Sequence, residues 1–326
     1  MDRPSLAHRT ALGATGVSIP PLCFGTSALG DMPNTYGYGV DPERAHATVR
    51  RVLEGPLPFL DTSRNYGSGR SEARIGEVLR ELGGLPEGAV LSTKLDRDPE
   101  TGRFDAARAR RSLEASLEAL GLDRVQILHL HDPEHADDVG PIVASGGALD
   151  ELRKIRDEGL CDAIGLAAGD VEVMRPIVAD NAFDVMITHN RFTLVNRNAE
   201  ALIDLARERG VAIMNAAPYA GGVFAKGSAE HPRYVYQEAG DEALAPVKRI
   251  EALCAEHGVA PGAVALRFSL CEPRVDATIC GVSRPERVDQ TIAWAEAEVP
   301  DALWEAIEGL PVTREDPEAS RVLGTD

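Results

Sequence analysis

Leu57-Pro58-Phe59-Leu60-Asp61, then Ser71–Leu82 with apolar residues at helical spacing, then Val90-Leu91-Ser92-Thr93-Lys94, decide the fold. A short apolar run, an amphipathic stretch of helix length and a second apolar run are what a parallel strand pair with its crossover helix requires. Such strands are covered on both faces and therefore read as continuous apolar segments. Working outward, the unit repeats. Pro21–Gly25 precedes it, and Val125–His131, Ala163–Ala167, Val185–His189, Val211–Asn215 and Thr278–Gly281 follow, which makes eight runs. Helical patterns lie between them at Pro42–Leu53, Asp105–Leu120, Ala148–Glu158, Val171–Asp180, Asn198–Arg209, Asp241–His257 and Pro285–Ala297. Gly121, Gly159 and Gly210 stand where a helix ends in a left-handed residue, and Pro42 behind Asp41 reads as a first-turn proline after an N-cap. Eight strand–helix units predict an α/β fold of the closed (β/α)8 TIM-barrel type rather than an open sheet.

Two segments stand outside the repeat. Thr10–Ile19, with Leu12-Gly13-Ala14-Thr15-Gly16, reads as an N-terminal hairpin able to plug the barrel floor. Pro300–Leu310 reads as an extra C-terminal helix, and Pro311–Asp326 as a polar, mobile tail. No composition shift marks a boundary, so residues 1–326 are expected to form one domain with its ordered barrel over about 10–310. The long stretch Gly221–Gly240 has the length of a functional loop.

The formal net charge of −18 disfavours nucleic acid as a partner, because a phosphate backbone demands clustered Lys and Arg. A polyanionic cofactor would need a local group of backbone donors and Arg to overcome that field. The five cysteines, Cys23, Cys161, Cys254, Cys271 and Cys280, show no CxxC pairing and read as buried thiols. Met1-Asp2-Arg3-Pro4 leads into no apolar signal segment, and no run is long enough to span a membrane, so a cytoplasmic location without membrane contact is expected.

In a barrel of this type the active site lies at the C-terminal ends of the strands. There the second run ends in Asp61 and leads to Tyr66, the third ends in Lys94, and the fourth holds His129 and His131 before Asp132. Alone, each reads as a cap, a surface lysine or a core histidine; on successive strand ends they converge on one mouth. A phenol titrates near ~10, and a neighbouring cation stabilises its phenolate. Lys94 is expected to supply that charge, Asp61 to keep Lys94 protonated, and His131 to orient a substrate oxygen. The set suits proton transfer at an alcohol–carbonyl pair.

Phe59-Leu60-Asp61-Thr62-Ser63-Arg64-Asn65-Tyr66-Gly67, Ser92-Thr93-Lys94, and Leu120-Gly121-Leu122-Asp123 leading to Leu130-His131-Asp132 resemble the aldo-keto reductase family over nearly the whole barrel. The resemblance implies the catalytic set Asp61, Tyr66, Lys94 and His131, with Tyr66 as proton donor or acceptor. Arg191-Phe192-Thr193-Leu194, Pro218-Tyr219-Ala220-Gly221-Gly222 and Ala265-Leu266-Arg267-Phe268 resemble its aldose 1-dehydrogenase branch, which oxidises D-threo-aldoses, L-fucose or L-galactose to lactones and has pyridoxal 4-dehydrogenase nearby.

An NAD or NADP cofactor follows from the same resemblance, with Thr26, His189, Asn190, Tyr219, Gly221, Gly222, Gly281, Ser283, Arg284 and Arg287 as the residues expected to bind it. Gly281-Val282-Ser283-Arg284-Pro285 also reads by itself as a strand end turning into a helix N-terminus, which favours phosphate. Departures from the family pattern are Ala167 and Ala168 in place of a Ser-Asn pair, His189 in place of a glutamine, Ala216 in place of a tyrosine, and Gly281 in place of a lysine. The last tilts the expectation toward NAD. The substrate is expected to be a small molecule, a sugar or an aldehyde, selected by Asp31–Val40, Asp132–Gly147 and Gly221–Gly240. Two alternatives stand beside this reading. One is a metal-dependent barrel hydrolase using His129 and His131, completed by Asp61, Asp132 and His189. The other is a cofactor-binding regulatory protein without turnover.

Overall fold

Eight short strands pair side by side in a closed ring: β1 (Leu22–Gly25), β2 (Phe59–Asp61), β3 (Val90–Leu95), β4 (Val125–His131), β5 (Cys161–Ala168), β6 (Val185–His189), β7 (Ala212–Ala216) and β8 (Ala277–Gly281). Every pairing is parallel, and Gly281 opposite Gly25 closes the ring. This computed structural model describes residues 5–319 and Arg321; Met1–Pro4 and, within the C-terminal segment, residues 320 and 322–326 lie outside the described residues. Among the described residues no helix is long and apolar enough to cross a membrane.

The helices form where caps and periodicity agree. Helix α1 (Pro42–Leu53) starts on Asp41, whose carboxylate accepts the Arg44 amide N–H at 2.8 Å. Helices α2 (Arg70–Leu82), α3 (Ala106–Leu120), α4 (Ala148–Asp157), α5 (Val171–Asp180) and α6 (Glu200–Glu208) follow β2 to β6 in turn. Gly121 ends α3 at φ +68°, a conformation glycine adopts without steric cost. Each helix lays its apolar face on the ring, so the outward-facing strand residues form one core with the helices.

The ring's interior is a second core. Cys23, Phe59, Val90, Ile127, Ala163 and Val185 point inward and meet Leu12, Val17 and Ile19 of the hairpin formed by Thr10–Ala11 and Ser18–Ile19. Leu12 and Ile19 are fully buried there, so the hairpin closes the floor as expected. Burying each such side chain contributes roughly 1.5–3 kcal/mol.

Between β7 and β8, after a single helical turn at Val223–Lys226, the structure holds two longer helices, α7 (Asp241–Glu256) and α8 (Pro261–Leu270), where the sequence pattern suggested one. Most of α8 is buried on all sides, so it lacks the polar stripe that marks an amphipathic helix. A Cβ on Gly262 would stand 2.3 Å from the Trp294 ring, which explains a glycine inside the first turn. Helices α9 (Pro285–Ala295) and α10 (Asp301–Glu308) complete the ring. Residues 311–319 differ from the expected free tail. Thr313 accepts the Arg197 N–H at 2.8 Å and donates to the Val195 carbonyl at 3.1 Å, and Asp316 pairs with Arg191 at 2.7 Å. These contacts lay the segment along the loop after β6, at the barrel mouth.

Candidate active site

Alternate residues of a strand face the same side, and this divides the upper barrel interior into two halves. On β2, β3 and β4 the inward positions are Asp61, Ser92, Lys94, His129 and His131, while on β5 to β8 they include Gly165, Ala167, Ile187, Ala216 and Ile279. One wall carries charge and the other is apolar.

The structure brings Asp61, Tyr66, Lys94 and His131 together on the polar wall. Lys94 is 2% exposed, and its ammonium donates to Asp61 Oδ2 at 2.8 Å, to the Thr62 carbonyl at 2.6 Å and to Tyr66 Oη at 3.2 Å. An ammonium has three protons, so its hydrogen bonding is complete and its position over Tyr66 is fixed. Asp61 Oδ1 accepts from Ser92 Oγ at 3.0 Å, and Ser92 Oγ lies 3.1 Å from His129 Nε2. Tyr66 reaches the cavity because two backbones touch beneath it. Gly67, at φ +60°, lies so close to Gly30 that a Cβ would stand 1.9 Å from the Gly30 carbonyl oxygen.

Despite the neighbouring Lys94, the net shift of the Tyr66 phenol's pKa is upward. Burial raises it most, and Asp61, Tyr36, Asp132 and Asp96 add to that, so the phenol is held well above its ordinary range. The Tyr66 phenol is therefore protonated in this arrangement.

Asp96 joins the site without having been foreseen. It lies two residues past Lys94 and is buried, with Oδ1 2.5 Å from His131 Nδ1; its Oδ2 accepts from Ser63 Oγ at 2.6 Å and from the Asn65 N–H at 3.0 Å. Burial pulls the His131 imidazole down, but Asp132 and Asp96 outweigh it and raise its pKa. Asp96 keeps the proton on Nδ1, and the His131 ring stands edge-on to Tyr66 at 6.0 Å. The continued period-two series Ser92, Lys94, Asp96 was the available signal.

His129 lies deeper, fully buried, where burial first and then Lys94 and His131 push its pKa well down. A Cβ on Gly165 would stand 2.2 Å from its Nδ1. It therefore packs the interior and steadies Ser92. Among the described residues no three His, Cys, Asp or Glu side chains gather as metal ligands; His129 Nε2 faces Ser92 Oγ and His131 Nδ1 faces Asp96.

The cavity over the polar wall has a volume of about 320 Å³. It continues past Gly281 into a chamber of about 110 Å³ lined by Tyr219, Gly221, Gly222 and Ser283, and then into a basin of about 490 Å³ at Arg284 and Arg287. Shared lining residues make the three one trough. His189 lines its first part, while Asn190 is buried behind it at φ +59°. Thr26 is not at the trough. Its hydroxyl donates to the Asp61 carbonyl at 2.9 Å and accepts from Ser71 Oγ at 2.9 Å, so it joins the ends of β1 and β2 instead.

Lys226, not foreseen from the sequence, joins Arg284 and Arg287 in the basin and lies 4.4 Å over the Tyr38 ring. Burial, then Arg287, Arg233 and Arg284, lower its pKa. Crowded cations in a chain this acidic fit a polyphosphate, and the amides at the start of α9 add to the site. The residues present thus fit a dinucleotide.

The sequence model of the Aldo/keto reductase family matches residues 21–311, and the chain belongs to that family. It is an NAD(P)-dependent oxidoreductase. The pyridoxal 4-dehydrogenase of Microbacterium luteolum is 27% identical, with 93% of this chain and 98% of that one covered. The D-threo-aldose 1-dehydrogenase of a Pseudomonas species is 29% identical over 90% of this chain and 94% of its own, and the L-galactose dehydrogenase of Arabidopsis thaliana is 30% identical over 87% and 86%. The holo form of an aldo-keto reductase from Bacillus halodurans superposes with a TM-score of 0.75 at 19% identity, covering 96% of this chain and 99% of that one.

Proposed function

We propose that this chain oxidises an aldose at its anomeric carbon to a lactone, with NAD as the hydride acceptor. The observation that carries the reading is the Tyr66 hydroxyl, 3.2 Å from Lys94 Nζ, on the polar wall of a cavity whose far wall is apolar and leads to a cationic basin. The apolar wall suits a nicotinamide ring. Gly221, Gly222 and Ser283 suit the diphosphate, and Arg284, Arg287 and Lys226 the adenosine end. Gly281, in place of the lysine that the family resemblance implies there, favours NAD, while Arg284 keeps a site for the 2′-phosphate of NADP, so the assay below compares the two. Bound there, the nicotinamide supplies the hydride acceptor for oxidation and the donor for reduction.

The chain's own residues move the proton. Tyr66 Oη accepts it from the anomeric hydroxyl once its phenol is ionised, and Lys94 at 3.2 Å stabilises the phenolate. Because the phenol is held above its ordinary range, oxidation speeds up as pH rises, and reduction is favoured at lower pH. His131 turns Nε2 toward the substrate oxygen. With Nδ1–H committed to Asp96, Nε2 donates only as imidazolium. Ser27, Asn65, Arg97 and Asp132 line the same cavity and supply donors and acceptors suited to sugar hydroxyls.

The test follows the absorbance of reduced nicotinamide while purified protein meets NAD or NADP with L-fucose, L-galactose and D-threo-aldoses, and with pyridoxal and simple aldehydes as controls. Reduction of NAD with a sugar is the expected result. Turnover confined to pyridoxal or simple aldehydes overturns the aldose assignment, and cofactor binding with silence across the panel favours the regulatory alternative.

A further inference from the structure

A nicotinamide carboxamide carries an N–H2 donor that needs an acceptor when it is buried against protein. The apolar wall offers poor ones. Ala167, Ala168, Ile187, Ala216, Ala217 and Ile279 have no polar side-chain atom. Three of its backbone carbonyls already accept one N–H each and have one lone pair left: Ala167 takes the Asp132 N–H at 2.9 Å, Ala216 the Asn190 N–H at 3.2 Å, and Ile279 the Ala217 N–H at 3.1 Å; a neutral carbonyl is also a weaker acceptor than a carboxylate. Across the cavity, Asp61 is taken up by Lys94 and Ser92.

The rim beside this wall is made by Glu318 and Arg321 of the C-terminal segment. Glu318 lines the cavity next to His189, and its carboxylate is anchored from several sides. Oε1 accepts from Asn190 Nδ2 at 2.7 Å and lies 3.3 Å from His189 Nδ1 and, beyond hydrogen-bond range, 3.8 Å from Arg191 Nη1, while Oε2 has one neighbour among the described residues, an Arg321 guanidinium nitrogen at 3.2 Å. A carboxylate has about four lone-pair sites, so an acceptor position is left over. Burial alone would push this carboxyl up, but His189, Arg191 and Arg321 outweigh it and hold it well below the usual carboxylate range. Glu318 is then an acceptor only.

Resting on the dinucleotide placement above, we infer that Glu318, brought to the cavity by the C-terminal segment, is a cofactor-positioning residue that accepts the carboxamide N–H of the nicotinamide. The segment is thereby part of the cofactor site, and it sets the rotation of the ring against the apolar wall.

The experiment compares, by calorimetry, the binding of NAD and of its 3-acetylpyridine analogue, whose methyl ketone keeps the carbonyl but has no N–H. A charge-assisted hydrogen bond predicts that the native chain prefers NAD by about tenfold. Glu318→Ala brings the ratio close to one. Glu318→Gln, which keeps a neutral acceptor, retains a few-fold preference. Asp316→Ala loosens the segment's pairing with Arg191 without removing the acceptor, and it keeps the native ratio. A Glu318→Ala chain that binds both dinucleotides more weakly but with an unchanged ratio overturns the inference, as does a native chain that does not discriminate. A native chain that binds neither overturns the dinucleotide placement as well, so the two failures are distinguishable.

Discussion

Replacing Asp96 with Asn tests the part of the site that sets the His131 proton. Asp96 presents one oxygen to His131 Nδ1 at 2.5 Å and the other to two donors, Ser63 Oγ at 2.6 Å and the Asn65 N–H at 3.0 Å. Asparagine has one acceptor oxygen. With that oxygen kept on the two donors, its NH2 faces Nδ1, which must become an acceptor, and the ring proton moves to Nε2. The lost negative charge matters more. A charge at this range moves a pKa by about 1–3 units, and each unit is about 1.4 kcal/mol, so the imidazolium loses roughly 1.4–4 kcal/mol. Asp132 still raises the value, but without Asp96 burial meets less opposition, and the His131 pKa is expected to move down from its raised position. The pairing also contributes to stability. Asp96 is depressed and His131 raised, so the contribution is complete between about pH 4 and pH 6.5 and is lost as pH rises through the His131 value or falls through the Asp96 value. Ring-proton NMR titration gives the pKa, and the pH profile of carbonyl reduction gives its consequence: about a tenfold or greater fall near neutral pH, with cofactor Kd little changed. An identical His131 titration in both proteins would refute the reasoning.

Tyr66→Phe removes the proton donor and is expected to lower turnover by about 10²–10⁴-fold while dinucleotide Kd stays within about twofold; retention of a tenth of the native rate would contradict the role given to it. Arg287→Ala takes one cation from the basin and is expected to weaken NAD by about tenfold and to flatten the salt dependence of binding, which a salt series by calorimetry checks. Gly165→Ala places a Cβ 2.2 Å from His129 Nδ1 and 2.7 Å from the Val185 carbonyl oxygen, and overpacking at that depth should cost about 1–3 kcal/mol in denaturant unfolding. Native stability in that variant would mean that His129 has room to move.

The barrel was legible because strands covered on both faces must be apolar, and because a polar residue ending such a run stands out. Asp61, Lys94 and His131 are visible for that reason, and their order along the chain carries the family resemblance. Asp96 was passed over because the apolar run had already ended at Lys94, although the inward period of two continues through it. Helix α8 was missed because a helix buried all round has no polar face to show its period. Lys226 lies inside a long loop with no regular spacing. Glu318 illustrates the harder limit: its hydrogen-bond partner Asn190 is 128 positions away, and no local pattern of charge or hydropathy marks a carboxylate that returns to the mouth. Thr26 shows the converse, since a hydroxyl at a strand end suits a ligand and a buried cross-strand bond equally well, and here it makes the cross-strand bond.

The most direct measurement uses an aldose carrying deuterium at C1, incubated with the protein and NAD, with the reduced dinucleotide recovered and weighed by mass spectrometry. Direct transfer from the anomeric carbon predicts that the reduced nicotinamide carries the deuterium, and that Tyr66→Phe abolishes its formation. Reduced dinucleotide without the label, or no reduction with any aldose while another substrate class turns over, would contradict oxidation at the anomeric carbon.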